Sequence, residues 1–80
     1  MASKRVKFTF TRKLIPEPVI YTLGRKFDIV TSIRRADIRD DMGWVVLELT
    51  GDEDQITQGL DWVAEVGVRV DPVSGDVLEG

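Results

Sequence analysis

The chain is 80 residues long, 42% hydrophobic and 31% charged, with a formal net charge of −3 at pH 7. It is too short for two cores, too apolar to stay disordered, and has no apolar run long enough to cross a bilayer, so a single globular domain is expected. It contains no cysteine and no histidine, which excludes disulfides, thiolate or imidazole metal sites, and every Ser/His or Cys/His nucleophile.

Residues 1–5 lead into an alternating segment without the unbroken apolar stretch of a secretion signal, so a cytoplasmic location is expected. From Val6 to Thr11 apolar and polar residues alternate, the period of a strand with one buried face. Val6, Phe8 and Phe10 should point inward, and Lys7, Thr9 and Thr11 outward. A turn around Pro16-Glu17-Pro18 precedes a helix whose apolar stripe is Val19, Ile20, Leu23 and Phe27. That helix has no Ser, Thr, Asp or Asn cap, and Gly24 weakens it.

Asp28 to Ile38 reads as a strand with Ile29, Thr31 and Ile33 on one face. Ile38 sits on the opposite parity, which predicts a bulge near Arg34-Arg35-Ala36. A polar turn at Asp40-Asp41-Met42-Gly43 leads into a strand from Trp44 to Leu49, with Val45, Leu47 and Leu49 inward. In Asp52-Glu53-Asp54-Gln55, Asp52 can cap the next helix and Gln55 can reach back to it, while the acids favour the positive end of the helix dipole. This accounts for the acidic triplet better than a carboxylate metal site does. Ile56, Leu60, Val63 and Ala64 should form the buried stripe, Gly67 the C-terminal cap, and Val68-Arg69-Val70 a last short strand. Residues 72–80 read as a flexible tail after a single domain over residues 1–71.

The order βαββαβ, with right-handed crossovers, has one compact solution: an α+β sandwich of the ferredoxin-like kind. Its antiparallel sheet should run 4-1-3-2, with both helices on one face. The other face is left open and should display Lys7, Thr9, Thr11, Trp44, Val46, Glu48 and Arg69. An exposed Trp44–Val46 pair on a central strand is a candidate contact for a partner, or a cover for its own neighbours. RNA recognition on such a sheet needs an outward-facing aromatic on the first strand and a basic platform, and the chain, with Lys7 and Thr9 outward and a pI near 4.8, offers neither. The glycines stand singly, so phosphate-loop and dinucleotide patterns are absent. With no acid–base pair to carry chemistry, an enzyme is not expected.

Charge is unevenly spread. Residues 1–39 hold ten of the eleven basic residues and three acids, and residues 40–80 hold the remaining Arg and eleven acids. Two uses of this follow from the topology. Arg25 and Lys26, ending the first helix, should approach Asp52, Glu53 and Asp54 at the start of the second. Arg34, Arg35, Arg39, Arg12 and Lys13 gather at one rim. They either hold a carboxylate or phosphate or are neutralised locally by Asp37, Asp40 and Asp41.

Phe27 to Ile38, Gly43 to Glu53, the second helix, Gly67 to Val70, the first strand and Pro16 together resemble the NIL domain family, over roughly residues 5–71. The family is named for an Asn-Ile-Leu triplet in the second strand. That position reads Ser32-Ile33-Arg34 here, with Ile33 retained. NIL domains occur at the C-terminus of the ATP-binding subunits of bacterial methionine importers, where they bind methionine and inhibit transport. Others accompany ferredoxin-type domains or stand alone. The resemblance implies a non-catalytic regulatory module that senses methionine or a related sulfur amino acid and forms a homodimer. It implies ligand contacts from Ser32, Ile33, Arg34 and Arg35. The alternative is an interaction module that docks on a transporter or redox partner through Trp44 and Val46. Neither reading calls for a cofactor, a metal, a nucleic acid or membrane insertion.

Overall fold

The computed structural model describes residues 1–11, 16–40 and 42–73. Six elements follow in order: β1 (Ala2–Thr11), α1 (Pro16–Lys26), β2 (Val30–Ile38), β3 (Met42–Gly51), α2 (Glu53–Val66) and β4 (Arg69–Pro72). All strand pairs are antiparallel and the sheet runs β2-β3-β1-β4, the expected 4-1-3-2 order read from the other edge.

Alternation along β1 and β3 sends Val6, Phe8, Phe10, Val45, Leu47 and Leu49 to one face, where Val19, Ile20 and Leu23 of α1 and Ile56 and Val63 of α2 close over them. Phe8, Leu23, Leu47 and Leu49 are fully buried. Burying each such side chain contributes about 1.5–3 kcal/mol. Both helices therefore share one side of the sheet, and the open face is made of the intervening residues.

Several local expectations change. Met42 and Gly43 belong to β3 and not to the turn. Gly43 is there for space: a Cβ on it would sit 3.0 Å from Ile38 Cδ1 and 3.1 Å from the Asp37 carbonyl oxygen. α1 stops at Lys26, and Asp28 takes the left-handed turn with φ 55°, so β2 begins at Val30. Asp52 precedes α2 in an extended conformation but makes no side-chain cap, so the expected capping box does not form; its carbonyl accepts from the Ile56 amide at 3.0 Å instead. Ala64 is exposed, and the buried stripe of α2 is Ile56, Gly59 and Val63. Gly67 does end α2, with φ 109° and its amide on the Ala64 carbonyl, while the Val68 amide reaches Val63.

β4 includes Pro72, and the Val73 amide donates to the Arg5 carbonyl at 3.1 Å, so pairing on β1 continues past the expected start of the tail. The rest of that tail, residues 74–80, and Arg12, Lys13 and Asp41 lie outside the described residues. Among the described residues no ion pair joins Arg25 or Lys26 to the acids opening α2; both cations lie on aromatic rings. Arg25 sits over Tyr21, and Lys26 over Phe27 and Trp62. Trp62 is two turns along α2 from Asp54, about 12 Å at a rise of about 1.5 Å per residue.

Candidate functional site

Among the described residues β2 is an edge strand of the sheet, with β3 as its one strand neighbour. Its pairing with β3 shifts between Ile33 and Arg35, leaving Arg34 as the extra residue of a bulge. Residues directly opposed on antiparallel strands share a face. Ile33 lies opposite Leu47 and Ile38 opposite Gly43, so both stand on the helix side. The helices do not reach that far. Leu47 is fully buried, whereas Ile33 and Ile38, one strand further out, are 58% and 54% exposed. Val30, opposite Thr50, is exposed on the other side.

The four expected ligand residues therefore divide between two sides of one edge. Ser32 opposes Glu48 and Arg35 opposes Val46, both on the open face. Arg34 also turns that way, its Nη1 3.9 Å from Glu48 Oε1. Ile33 alone is on the helix side. The four side chains therefore do not share one face.

On the open face Glu48 collects two guanidinium groups, Arg5 Nη2 from β1 at 3.3 Å and Arg34 from β2. Lys7 Nζ lies 5.2 Å from the Trp44 ring centre, reached on the diagonal because Lys7 opposes Val46 and Thr9 opposes Trp44. Trp44 and Val46 are half-buried, and the expected outward set of Lys7, Thr9, Thr11, Trp44, Val46, Glu48 and Arg69 shares this face. Arg69 Nε donates to Asp71 at 3.0 Å. At the end of β2, Arg39 makes two hydrogen bonds to the Asp37 carboxylate, at 3.1 and 3.2 Å. These bonds, and the guanidinium charge behind them, hold the Asp37 carboxyl below its ordinary range and raise Arg39. Local neutralisation is thus what Asp37 and Arg39 do at this rim.

Sequence reasoning used Ile38 only to place the bulge, put Glu48 on the open face without its two guanidinium partners, and passed over Val30. Ile38 could have been found by carrying the bulge through to its consequence, since one extra residue restores the phase of Ile33. Glu48 needed the β1 register, which no local pattern supplies. Among the described residues no three His, Cys, Asp or Glu side chains are grouped to hold a metal ion. No helix of the described residues is long and apolar enough to cross a membrane.

Fold and site together define a small βαββαβ sandwich with an uncovered apolar edge and a half-buried tryptophan on its open face. The chain belongs to the NIL domain family, which matches it over residues 4–72. It is similar to the methionine import ATP-binding protein MetN of Mannheimia succiniciproducens, 31% identical over 70 residues, 82% of this chain and 20% of that protein. It is also similar to MetN of Haemophilus influenzae, at 33% identity over the same coverage. The chain thus spans about a fifth of the length of these relatives. Its fold matches the C-terminal domain of an ABC transporter ATP-binding protein from Enterococcus faecalis, with a TM-score of 0.80 at 18% identity over 91% of this chain and 86% of that one.

Proposed function

We propose that this NIL domain is a non-catalytic regulatory module whose site is the outer edge of β2, binding methionine or a related sulfur amino acid where two copies of the chain meet. The observation that carries the reading is the exposed pair Ile33 and Ile38 on the helix side of a strand at the edge of the sheet. An unbranched thioether side chain fits an irregular apolar surface of this kind. Its α-carboxylate would lie on the opposite side of the edge, against Arg34 or Arg35 or the outer amides of β2. The similarity to MetN proteins supports methionine as the amino acid. Regulation would follow from linkage: a ligand held between two chains binds only the associated state and draws the equilibrium toward it.

Calorimetry and thermal shift with methionine, homocysteine and cysteine test the ligand, and sedimentation with and without methionine tests the association. Binding of a sulfur amino acid together with a methionine-dependent increase in mass is expected. No response to any of the three at millimolar concentration overturns the reading.

A second reading rests on the open face. There Lys7 caps Trp44 beside Val46, and Arg5 and Arg34 share Glu48. This is a surface for a protein partner, such as a transporter or redox subunit, anchored by Trp44. Trp44→Ser should then abolish capture by that partner while circular dichroism stays unchanged. Equal capture of the variant rejects it.

A further inference from the structure

On α1 a second patch stands apart from the edge of β2. Tyr21 and Arg25, and Thr22 and Lys26, are two pairs at helical i, i+4 spacing. Together they line a groove of about 340 Å³ along the outside of the helix. Arg25 Nη1 donates to the Tyr21 hydroxyl at 2.9 Å, and its guanidinium lies 5.7 Å from the same ring. Lys26 Nζ is 5.7 Å from the Trp62 ring and 5.9 Å from Phe27, and those two rings are themselves 6.0 Å apart. Tyr21 is 61% exposed.

The electrostatics of this patch differ from those of the sheet. On the sheet, Arg5, Arg34 and Arg69 each meet a carboxylate, as Arg39 does just past β2, while Lys7 lies over the Trp44 ring. Among the described residues, Arg25 and Lys26 meet rings and no carboxylate. A cation over a ring keeps its charge, so the patch is a fixed positive spot on a chain of net −3.

We infer that the outer face of α1, built on Tyr21, Arg25, Lys26 and Trp62, is a docking surface for a short acidic segment of a protein partner. Three arguments select that occupant. Tyr, Trp and Arg are the residue types that anchor protein interfaces, and the Arg25–Tyr21 bond holds two of them in place before binding, which lowers the ordering cost. The groove follows one convex helix with no facing wall, whereas small-molecule sites enclose most of their ligand. A nucleic acid would extend over α2, which carries Glu53, Asp54, Asp61 and Glu65 and no basic residue, and its phosphates would be repelled. What remains is a segment with local carboxylates for Arg25 and Lys26 and an apolar side chain for the Trp62–Phe27 rings. This surface does not depend on the amino-acid site at β2.

The probe is a blocked octapeptide of alternating Glu and Leu, titrated into the full chain at low salt and followed by amide and indole NMR shifts. Shifts centred on residues 21–27 and the Trp62 indole, fading with added salt, are expected. An octapeptide of alternating Lys and Leu should leave these signals unmoved. Arg25→Glu with Lys26→Glu should weaken the acidic peptide about tenfold or more, as loss of close charge contacts does. Both side chains are exposed, so the variant should keep its circular dichroism, and Arg25→Gln serves as a milder check. Shifts centred on Lys7 and Trp44, equal shifts with the Lys peptide, or no shifts overturn the inference. So does concentration-dependent broadening of residues 21–27 without peptide, which would make a second copy the occupant.

Discussion

Ile33 and Ile38 stand on the same face of the sheet although five positions separate them, because Arg34 between them is an extra residue with no opposite number in the register with β3. In an unbroken strand residues five apart point to opposite faces. The bulge therefore does two things at once: it gathers an apolar row on the helix side and turns an extra guanidinium toward Glu48.

Deleting Arg34 should leave Ile33 opposite Leu47 and bring Arg35 into line opposite Val46, giving a regular ladder with no side chain changing face. The deletion variant is expected to fold, with its melting temperature within about 4–8 °C of the parent, the shift that about 1 kcal/mol produces at this size. Deleting Ser32 instead moves Thr31 into the place of Ser32 and should cost more, because Thr31 then leaves the helix side. Differential scanning calorimetry of the two deletions checks the order.

Gly59 lies where α2 meets α1 and the start of β2. A Cβ there would come within 2.8 Å of Leu23 Cδ1 and 2.9 Å of Ile29 Cδ1, both on buried residues. Alanine favours the helix by about 1 kcal/mol, but crowding a packed core costs about 1–3 kcal/mol. Gly59→Ala should therefore be destabilising by about 1 kcal/mol in urea unfolding, against the usual sign for glycine replaced in a helix.

Asp28 holds φ 55° at the end of α1 and is exposed, so backbone shape dominates any substitution there. Asp28→Val should lose about 1–2 kcal/mol, the cost of a side chain branched at Cβ in the left-handed region, whereas Asp28→Asn should be nearly neutral. Chemical denaturation of the two variants separates conformation from packing.

These positions also mark where sequence pattern stops being informative. Alternation at Val6, Phe8 and Phe10 and at Val45, Leu47 and Leu49 reflects burial of one sheet face, a local property, so the strands and their order could be read directly. The Gly67 cap is local too. Gly43 and Gly59 were misread or passed over because their reason is a neighbour distant in sequence, Ile38 for one and Leu23 for the other. Asp52 has the right residue type for a cap, yet side-chain orientation is decided by surroundings that composition does not encode. For the candidate site, the edge position of β2 followed from topology. The division of Ser32, Arg34 and Arg35 from Ile33 followed only from the register across the bulge.

The Asp37–Arg39 pair gives a pH dependence of known sign. The carboxyl titrates below its ordinary value of 3.8 because the guanidinium bonds its charged form. A depressed folded-state value means that the pair stabilises above about pH 4 and that this contribution is lost as pH falls through the lower, folded value. In carboxyl-carbon NMR, Asp37 should titrate below its ordinary value, and Arg39→Gln should bring it back toward that value. Exposure of the pair to solvent makes its effect weaken with salt.

Ile33 offers the sharpest separation of folding from function. At 58% exposure it contributes little to the core, so Ile33→Asp should change stability by no more than about 0.5 kcal/mol, as surface substitutions do. The same change puts a carboxylate on the apolar side of the edge. It should abolish both the methionine-dependent thermal shift and the rise in sedimenting mass. Ile33→Met keeps an apolar surface and should retain both. If Ile33→Asp still responds to methionine, the amino acid binds elsewhere. If Ile33→Met also loses the response at unchanged stability, side-chain shape and not apolar contact at this edge is what the ligand reads.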